Sequence, residues 1–283
     1  VAGANPKPSR QSMVEMLQYP VPLGIAGMMG TLMLQTHQVV VSAMCTPIEF
    51  ANYVNGAIEI PLIGVITGSI ASVILVDMTN CVHDGNYKAA LDLFKKAAIK
   101  SAAILFPVMI FLLATGKSFI VTLYSAKYLE SVVPFYIYLF VLPVRIVVYG
   151  SALMSLGQSK VILIRSVFDL LINTVLSIVF VYFFGYLGAA IATIVTLYIW
   201  TVPYNLYKIG QGFNVSAIQT LPFKQLGKLI LICAIPIPLV MFTLLLPQGA
   251  HFWKLLLAAI LYFPAEGILL LRYKYIEIPK KLY

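Results

Sequence analysis

Long apolar stretches, repeated along the whole chain, are the feature that most restricts what this sequence can fold into. Of its 283 residues, 61% are hydrophobic and only 10% are charged, and the mean hydropathy is +0.94. Ordinary soluble domains carry about 25% charged residues, so a soluble globular domain is excluded. The segments 102–113 and 175–184 do not alternate apolar with polar residues, as strands of a transmembrane barrel do. The sequence therefore predicts an all-α polytopic membrane protein.

The apolar segments are long enough to cross a bilayer, for which an α-helix needs roughly 20 residues. Charged residues and breaks that contain Pro or Gly separate one segment from the next. We expect about eight transmembrane helices, at residues 19–43, 57–79, 99–124, 131–156, 162–184, 186–207, 226–246 and 251–272.

Basic residues are concentrated in alternate breaks between these segments. The break at 45–56 contains no Lys or Arg, whereas the next break, at 80–100, contains four lysines. Since cytoplasmic loops of membrane proteins are enriched in Lys and Arg, this alternation requires an even number of spans. It predicts that both termini of the chain are cytoplasmic. The same rule accounts for the net charge of +9, so no nucleic-acid partner is expected.

Arg145 is the basic residue that lies deepest in a predicted span. It is near the middle of the fourth segment, roughly 18 Å from the cytoplasmic end at about 1.5 Å per residue. An intramembrane charge marks a functional position by default, and a guanidinium group can hold a phosphate or carboxylate with two hydrogen bonds. Arg145 is therefore a candidate substrate-binding residue, with a structural ion pair as the alternative.

Three other charged residues are candidates for ion coupling or for ion pairs. Asp169 lies in the fifth segment with Arg165 one turn earlier, so the two are expected to pair near the cytoplasmic interface. The alternatives are that Asp169 meets Arg145 across adjacent helices, or that it binds a coupling proton or sodium ion. Glu59 begins the second segment on the outer side and is most simply interfacial.

A polar patch interrupts the first predicted span. It consists of Gln35, Thr36, His37 and Gln38, and four consecutive polar residues cover all faces of a helix. At least some of them must point into a cavity or at a neighbouring helix rather than at lipid. Gln35, His37 and Gln38 are therefore candidate substrate-binding residues.

The chain has no motif of soluble-enzyme chemistry. It lacks a Walker-type phosphate loop and the GxSxG and HExxH patterns, and it contains only three histidines. Cys45, Cys81 and Cys233 are far apart and do not have the spacing of metal ligands or of a redox pair. The sequence predicts a protein that is not an enzyme and has no metal site or cofactor, apart from the coupling proton or sodium ion considered above.

Five short motifs, in chain order, resemble the second half of a known group of transporters. The region from about Tyr19 to Gln211 resembles polysaccharide and lipid-linked oligosaccharide flippases, which are exporters of the multidrug/oligosaccharidyl-lipid/polysaccharide superfamily. The motifs are LQYPVPL at 17–23, EFANY at 49–53, YSAKY at 124–128 with SVVPF at 131–135, GQSK at 157–160, and GYLGAAIAT at 185–193.

This resemblance implies a domain organisation. Such flippases resemble two six-helix bundles that face each other across a central cavity, often with two extra helices at the C-terminal end, and internal repeats of this kind are general among transporters. By this resemblance, residues 1–18 are a cytoplasmic loop or linker, 19–210 are the second six-helix bundle, and 211–283 are two additional transmembrane helices with a cytoplasmic tail. The first bundle is expected as a missing N-terminal part or a partner chain.

The resemblance also implies a function. We expect a multi-pass protein of the bacterial inner membrane that moves an undecaprenyl-diphosphate-linked oligosaccharide to the outer leaflet, for surface polysaccharides such as O-antigen or exopolysaccharide. Many relatives have an acidic residue where this chain has His37, which weakens the case for ion coupling at that position. Two alternatives remain: a multidrug or small-cation exporter of the same superfamily, and a non-transporting membrane scaffold in glycan assembly.

Overall fold

The computed structural model describes residues 17–58, 60–243 and 251–276, and these residues form helices without a β-strand. Short 3-10 and π segments connect some of the α-helices. The α-helices are α1 (Pro20–Met44), α2 (Pro47–Gly56), α3 (Pro61–His83), α4 (Tyr87–Tyr124), α5 (Val132–Leu139), α6 (Leu142–Arg145), α7 (Tyr149–Ser155), α8 (Ser159–Phe184), α9 (Leu187–Val195), α10 (Val202–Phe213), α11 (Phe223–Ala234), α12 (Ile237–Phe242) and α13 (His251–Arg272).

Within the described ranges, seven helical runs are long and apolar enough to cross a membrane. The predicted first span corresponds to α1, which is 25 residues long but less apolar, because Gln35 to Gln38 interrupt it. The prediction of an all-α polytopic membrane protein is confirmed, and every predicted segment overlaps one helical run. The seven runs are Ile63–His83, Tyr87–Tyr124, Ala126–Ser155, Ser159–Phe184, Leu187–Phe213, Phe223–Phe242 and His251–Arg272.

Helix α4 begins 12 residues before the predicted start of its span. It is 38 residues long, which is about 57 Å at about 1.5 Å per residue. The Asn86 side chain caps its first turn by accepting a hydrogen bond from the Ala89 N–H at 3.1 Å. Lys88, Lys95 and Lys96, which the sequence placed in a loop, therefore lie on the helix. Hydropathy alone missed this extension because its residues are charged.

The core of the molecule is built around α4. Helices α3, α5, α11 and α13 all pack against it, and its side chains from Ala90 to Ile120 include many of the fully buried ones. Ala98 and Ala102 are 0% exposed, and small residues of this kind let neighbouring membrane helices approach closely. The C-terminal helices α11 and α13 are thus held on the same long helix as α3 and α5.

A second packing unit is formed by α1, α8 and α9. Helix α1 packs along α8, and α9 packs against α8 on another side. In the first turn of α9, a Cβ on Gly188 would overlap with the carbonyl group of Phe180. Ala189 and Ala190 are completely buried. Position 188 therefore requires glycine, because backbone occupies the space that a side chain would need.

The predicted fourth span is a broken helix rather than a continuous one. It consists of the 3-10 segment Ala126–Ser131 followed by α5, α6 and α7. Pro143 lies in the first turn of α6, and proline has no N–H to donate to the turn before it. The break leaves Arg145 at the end of a four-residue helix, where the chain changes direction.

The connection between α1 and α3 is a short helix, α2, that is fixed at both ends. At its start, Thr46 and Glu49 form a reciprocal capping box. In its middle, the Asn52 amide donates to Glu130 Oε2 at 2.8 Å. At its end, Gly56 lies against Pro134 so closely that a Cβ would not fit. Helix α2 is thereby attached to the start of the broken span.

Candidate functional site

A cavity of about 170 Å³ lies between α1, the start of α3, the broken span and α9. Its walls are mostly apolar, and the polar side chains that line it in the described part of the chain are few. They are His37, Tyr138, Arg145 and Thr193. The apolar walls include Ile58, Ile60, Ile63, Phe135, Leu139 and Leu197.

Arg145 is the cationic side chain that lines this cavity. It is half-buried, and it stands at the break between α6 and α7 rather than in a regular helix. In the apolar surroundings of the cavity, a guanidinium group attracts an anion more strongly than it would in water. From the sequence, Arg145 was a candidate for substrate binding or for a structural ion pair; in the structure it lines the cavity.

His37 lies at the back of the same cavity and is 2% exposed. Its Nδ1 atom is 3.3 Å from Ser177 Oγ on α8, and its Nε2 atom is 3.4 Å from Thr193 Oγ1 on α9. One imidazole ring therefore joins three helices, α1, α8 and α9. Because His37 also lines the cavity, a molecule bound there can contact its imidazole ring.

The contacts of His37 continue into a buried polar row, which we call the polar seam: His37, Asn173, Ser177, Thr193 and Thr196. Ser177 donates to Asn173 Oδ1 at 3.3 Å, and the Asn173 amide donates to Thr196 Oγ1 at 3.3 Å. All five side chains are buried. Buried polar groups that are fully hydrogen-bonded make the packing of their helices more specific.

Asp169 and Arg165 form an ion pair on α8. Their closest atoms, Arg165 Nη1 and Asp169 Oδ2, are 3.5 Å apart, and Thr201 donates to the other carboxylate oxygen at 2.8 Å. Asp169 is 7% exposed, whereas Arg165 keeps one edge at the surface. Of the alternatives, the described contacts of Asp169 correspond to the i, i+4 pair.

Gln35 and Gln38 are not in the cavity. Both are exposed on α1, while His37, which lies between them in sequence, points inward. Consecutive residues of a helix point in different directions, so one polar patch cannot line a single surface. Glu59, the third member of the ion-coupling set, lies outside the described residues.

Of the polar seam, only His37 was a candidate from the sequence; the polar residues of α8 beside it were not. Ser166, Asp169, Asn173 and Ser177 are spaced by three or four residues along α8, and all four are buried. Side chains at this spacing lie on one face of a helix. A polar stripe of this kind in an apolar span is a readable signal, but only Asp169 was selected, because it is charged.

Two tyrosine residues connect α2 to the wall of the cavity. The Tyr53 hydroxyl on α2 lies 3.1 Å from the Tyr138 hydroxyl on α5, and Tyr138 itself lines the cavity. Tyr53 is 1% exposed. Through this contact, the short helix α2 lies beside the cavity. No sequence pattern predicted it.

Two comparisons with known proteins agree with this architecture. Residues 3–133 match a family model described as "Polysaccharide biosynthesis protein". No curated protein sequence matches the chain. A solved structure of the lipid II flippase MurJ, in an inward closed conformation, is similar at a TM-score of 0.65 and 18% sequence identity.

The likeness to MurJ covers 94% of this chain and 56% of the MurJ chain. The chain thus spans little more than half the length of that flippase. At this level of identity the likeness shows the fold, and the family model adds a sequence match over the first part of the chain. The predicted resemblance is confirmed: the chain has the fold of the flippase MurJ and, over residues 3–133, the sequence pattern of polysaccharide biosynthesis proteins.

Proposed function

We propose that this chain is part of a transporter that flips a lipid-linked oligosaccharide across the bacterial inner membrane, for the synthesis of surface polysaccharides. The observation that carries the proposal is a cavity with apolar walls and one lining guanidinium group, Arg145, within a flippase fold. The activity is transport and not catalysis. In this proposal both termini of the chain are cytoplasmic, because lysine and arginine are enriched in cytoplasmic loops.

The chemistry of the cavity suits the proposed substrate. An undecaprenyl-diphosphate-linked oligosaccharide combines a long apolar chain with a diphosphate and a sugar part. Arg145 can bind a phosphate oxygen pair in bidentate fashion, and the apolar walls can accommodate the first isoprene units. A cavity of about 170 Å³ holds only a portion of such a molecule, so it would receive the region around the diphosphate.

The rest of the transport path requires a second bundle. The chain covers 56% of MurJ, and in this proposal the missing part is either the N-terminal portion of the same polypeptide or a partner chain. Helix α3 offers a surface for it, since most of α3 is exposed. A coupling proton or sodium ion, with Asp169 and Arg165 or Glu59 as candidate residues, remains part of the same proposal.

The two alternative functions make different predictions about the cavity. A cationic drug would be repelled by a positive charge in the cavity, and the described lining residues include a guanidinium group and no carboxylate. The function of a scaffold without transport activity does not depend on the residues that line the cavity. Replacement of Arg145, Asp169 and His37 would then leave glycan export unchanged.

The test is export in a deletion strain that is complemented with variants. Without the protein, lipid-linked intermediates should accumulate on the cytoplasmic leaflet and surface polysaccharide should be lost. The wild-type chain should restore export, and Arg145→Ala should not, at equal amounts in the membrane. Lys117→Ala is the matched control, because Lys117 is exposed and lies outside the cavity.

Each outcome has a definite meaning. Normal export by Arg145→Ala removes Arg145 from the substrate site. Normal surface polysaccharide in the deletion strain, together with hypersensitivity to cationic drugs, contradicts the flippase proposal and favours the drug exporter.

A further inference from the structure

A buried carboxyl group lies outside the cavity, where α13 packs on α11 and α4. Glu266 on α13 is only 1% exposed, six residues before the end of the helix at Arg272. Neither of its carboxyl oxygens has a hydrogen-bond partner among the described residues. A buried polar group without a partner in a membrane protein calls for an explanation.

The immediate surroundings of Glu266 are an apolar contact with one thiol. Cys233 on α11 is completely buried, and its thiol lies beside the carboxyl group without the geometry of a hydrogen bond. Tyr262, one turn before Glu266, donates its hydroxyl proton to the Cys233 carbonyl at 2.8 Å. The Tyr262 hydroxyl therefore does not donate a hydrogen bond to Glu266.

Aromatic rings close the contact on the side of α4. Phe111 lies with its ring centre 5.7 Å from that of Tyr262 and 5.0 Å from that of Phe263. These rings and the buried Leu229 and Leu270 make the packing of the three helices largely apolar.

No cation balances a negative charge at this position. Within the described part of the chain, Glu266 forms no ion pair with a lysine, arginine or histidine. Lys228 on α11 instead lies over the ring of Tyr273, 5.5 Å from its centre. The other ionisable groups of the three helices form no ion pair with Glu266; they are Tyr87, Lys88, Asp92, Lys95, Lys96, Lys100, Lys117 and Tyr124 on α4, Lys224 on α11, and His251, Lys254 and Arg272 on α13.

We propose that Glu266 is a proton-binding site, and that its side chain is carried as the neutral carboxylic acid while α13 is packed on α11 and α4. An isolated carboxylate in hydrocarbon-like surroundings is strongly disfavoured. Among the described residues, no cation pairs with Glu266 and no hydrogen bond reaches its carboxyl oxygens. The proton can leave when α13 moves away and water reaches the carboxyl group. Proton binding and the packing of α13 are therefore linked. This inference is independent of the proposed transport function.

Infrared spectroscopy of the chain in lipid nanodiscs at neutral pH tests the proposal. A protonated carboxyl group has a carbonyl stretching band that is separate from the carboxylate bands. We expect this band in the wild-type spectrum and its loss in Glu266→Gln, which keeps the size and neutrality of the side chain. Asp77→Asn is the matched control: Asp77 is exposed, so this variant should lose carboxylate absorption and keep the acid band.

One infrared result would contradict the proposal. If Glu266→Gln loses carboxylate absorption and keeps the acid carbonyl band, Glu266 is ionised in the packed protein and the proposal is wrong. Circular dichroism of each variant shows whether its helix content matches that of the wild type.

A second measurement needs no variant. A membrane-soluble carbodiimide reacts with a carboxylic acid in apolar surroundings: the acid oxygen bonds to the central carbon, and the proton moves to a carbodiimide nitrogen. The resulting O-acylisourea rearranges to a stable N-acylurea without another reactant. Mass spectrometry of the labelled chain should locate one carbodiimide on the peptide that contains Glu266. Labelling of exposed carboxyls such as Asp77 instead of Glu266 would overturn the proposal.

Discussion

The imidazole Nδ1 of His37 lies 3.3 Å from Oγ of Ser177, so that α1 and α8 are joined by a buried side-chain contact 140 positions apart in the sequence. Helix α1 carries the weakest apolar signal of the long helices, yet it packs along α8 over much of its length. The contact explains how a helix with four consecutive polar residues is retained in a membrane bundle.

Replacing His37 by Leu should destabilise the protein. The change leaves Ser177 and Thr193 with one buried contact fewer each, and an unsatisfied buried polar group costs about 1 to 3 kcal/mol. His37→Gln, which can keep one of the two contacts, should lose less. The measurement is thermal unfolding in detergent.

Gln38→Leu is the control for this comparison, because Gln38 is exposed on the same helix. Its effect should stay within about 0.5 kcal/mol. Equal melting temperatures for His37→Leu and Gln38→Leu would show that the polar seam contributes nothing to stability.

Gly188→Ala should also destabilise the chain, through a steric conflict. The added methyl group would overlap with the carbonyl group and backbone of Phe180, and overpacking of this kind costs about 1 to 3 kcal/mol. Gly64→Ala is the matched control, since no atom lies within 4 Å of the Cβ it would add. Alanine is the better helix former, so this control should melt at the same temperature or slightly higher.

Much of the fold could be predicted from sequence because hydrophobic patterning dominates in a membrane protein. Eight apolar segments were enough to locate the helical runs. The two larger errors have physical causes. The first turns of α4 are too charged to appear in a hydropathy profile, and the break between α5 and α7 depends on how Pro143 is accommodated by neighbouring helices.

The site was less predictable than the fold. Arg145 and His37 were found because a charged or titratable residue in a span is rare, and the structure brings both to one cavity. Gln35 and Gln38 were selected on the same grounds, but they face away from the cavity. Their direction depends on the rotation of α1 about its own axis, and the interhelical contact at Ser177 specifies that rotation.

Arg165→Gln and Asp169→Asn, which each remove one partner of the ion pair, should lower the stability of the protein by different amounts. Arg165→Gln leaves the carboxylate of Asp169, which is 7% exposed, without its cation, and breaking a buried pair in this way costs about 3 to 5 kcal/mol. Asp169→Asn leaves a guanidinium group that can turn towards the surface, because the Arg165 side chain is 25% exposed. The second variant should therefore retain more stability than the first.

A double-mutant cycle with both changes isolates the pair from these separate effects. We expect the double variant to be more stable than Arg165→Gln alone, since no buried charge remains. Additive losses in thermal unfolding would mean that the two side chains do not interact in the folded protein.

The capping box of α2 should make the protein sensitive to acid in a specific way. The Thr46 backbone N–H and the Thr46 hydroxyl both donate to Glu49 Oε2 at 2.8 Å, and these hydrogen bonds lower the pKa of Glu49 below its ordinary value. The carboxylate form is therefore favoured in the folded state. Its contribution to stability is complete above the ordinary pKa and is lost as the pH falls through the lowered one.

Replacing Thr46 by Ala removes the hydroxyl donor and the N-cap acceptor together, at a cost of about 1 kcal/mol. It should also return the pKa of Glu49 towards its ordinary value. Thr46→Ala should therefore melt at a lower temperature than the wild type at neutral pH, and its melting temperature should fall less than that of the wild type on acidification, because the pKa of Glu49 then differs less between the folded and unfolded states; Thr46→Ser should follow the wild type. Since α2 contacts the cavity wall through Tyr53 and Tyr138, the same variant should loosen that contact. Coincident pH profiles for Thr46→Ala and Thr46→Ser would show that the capping box does not stabilise α2.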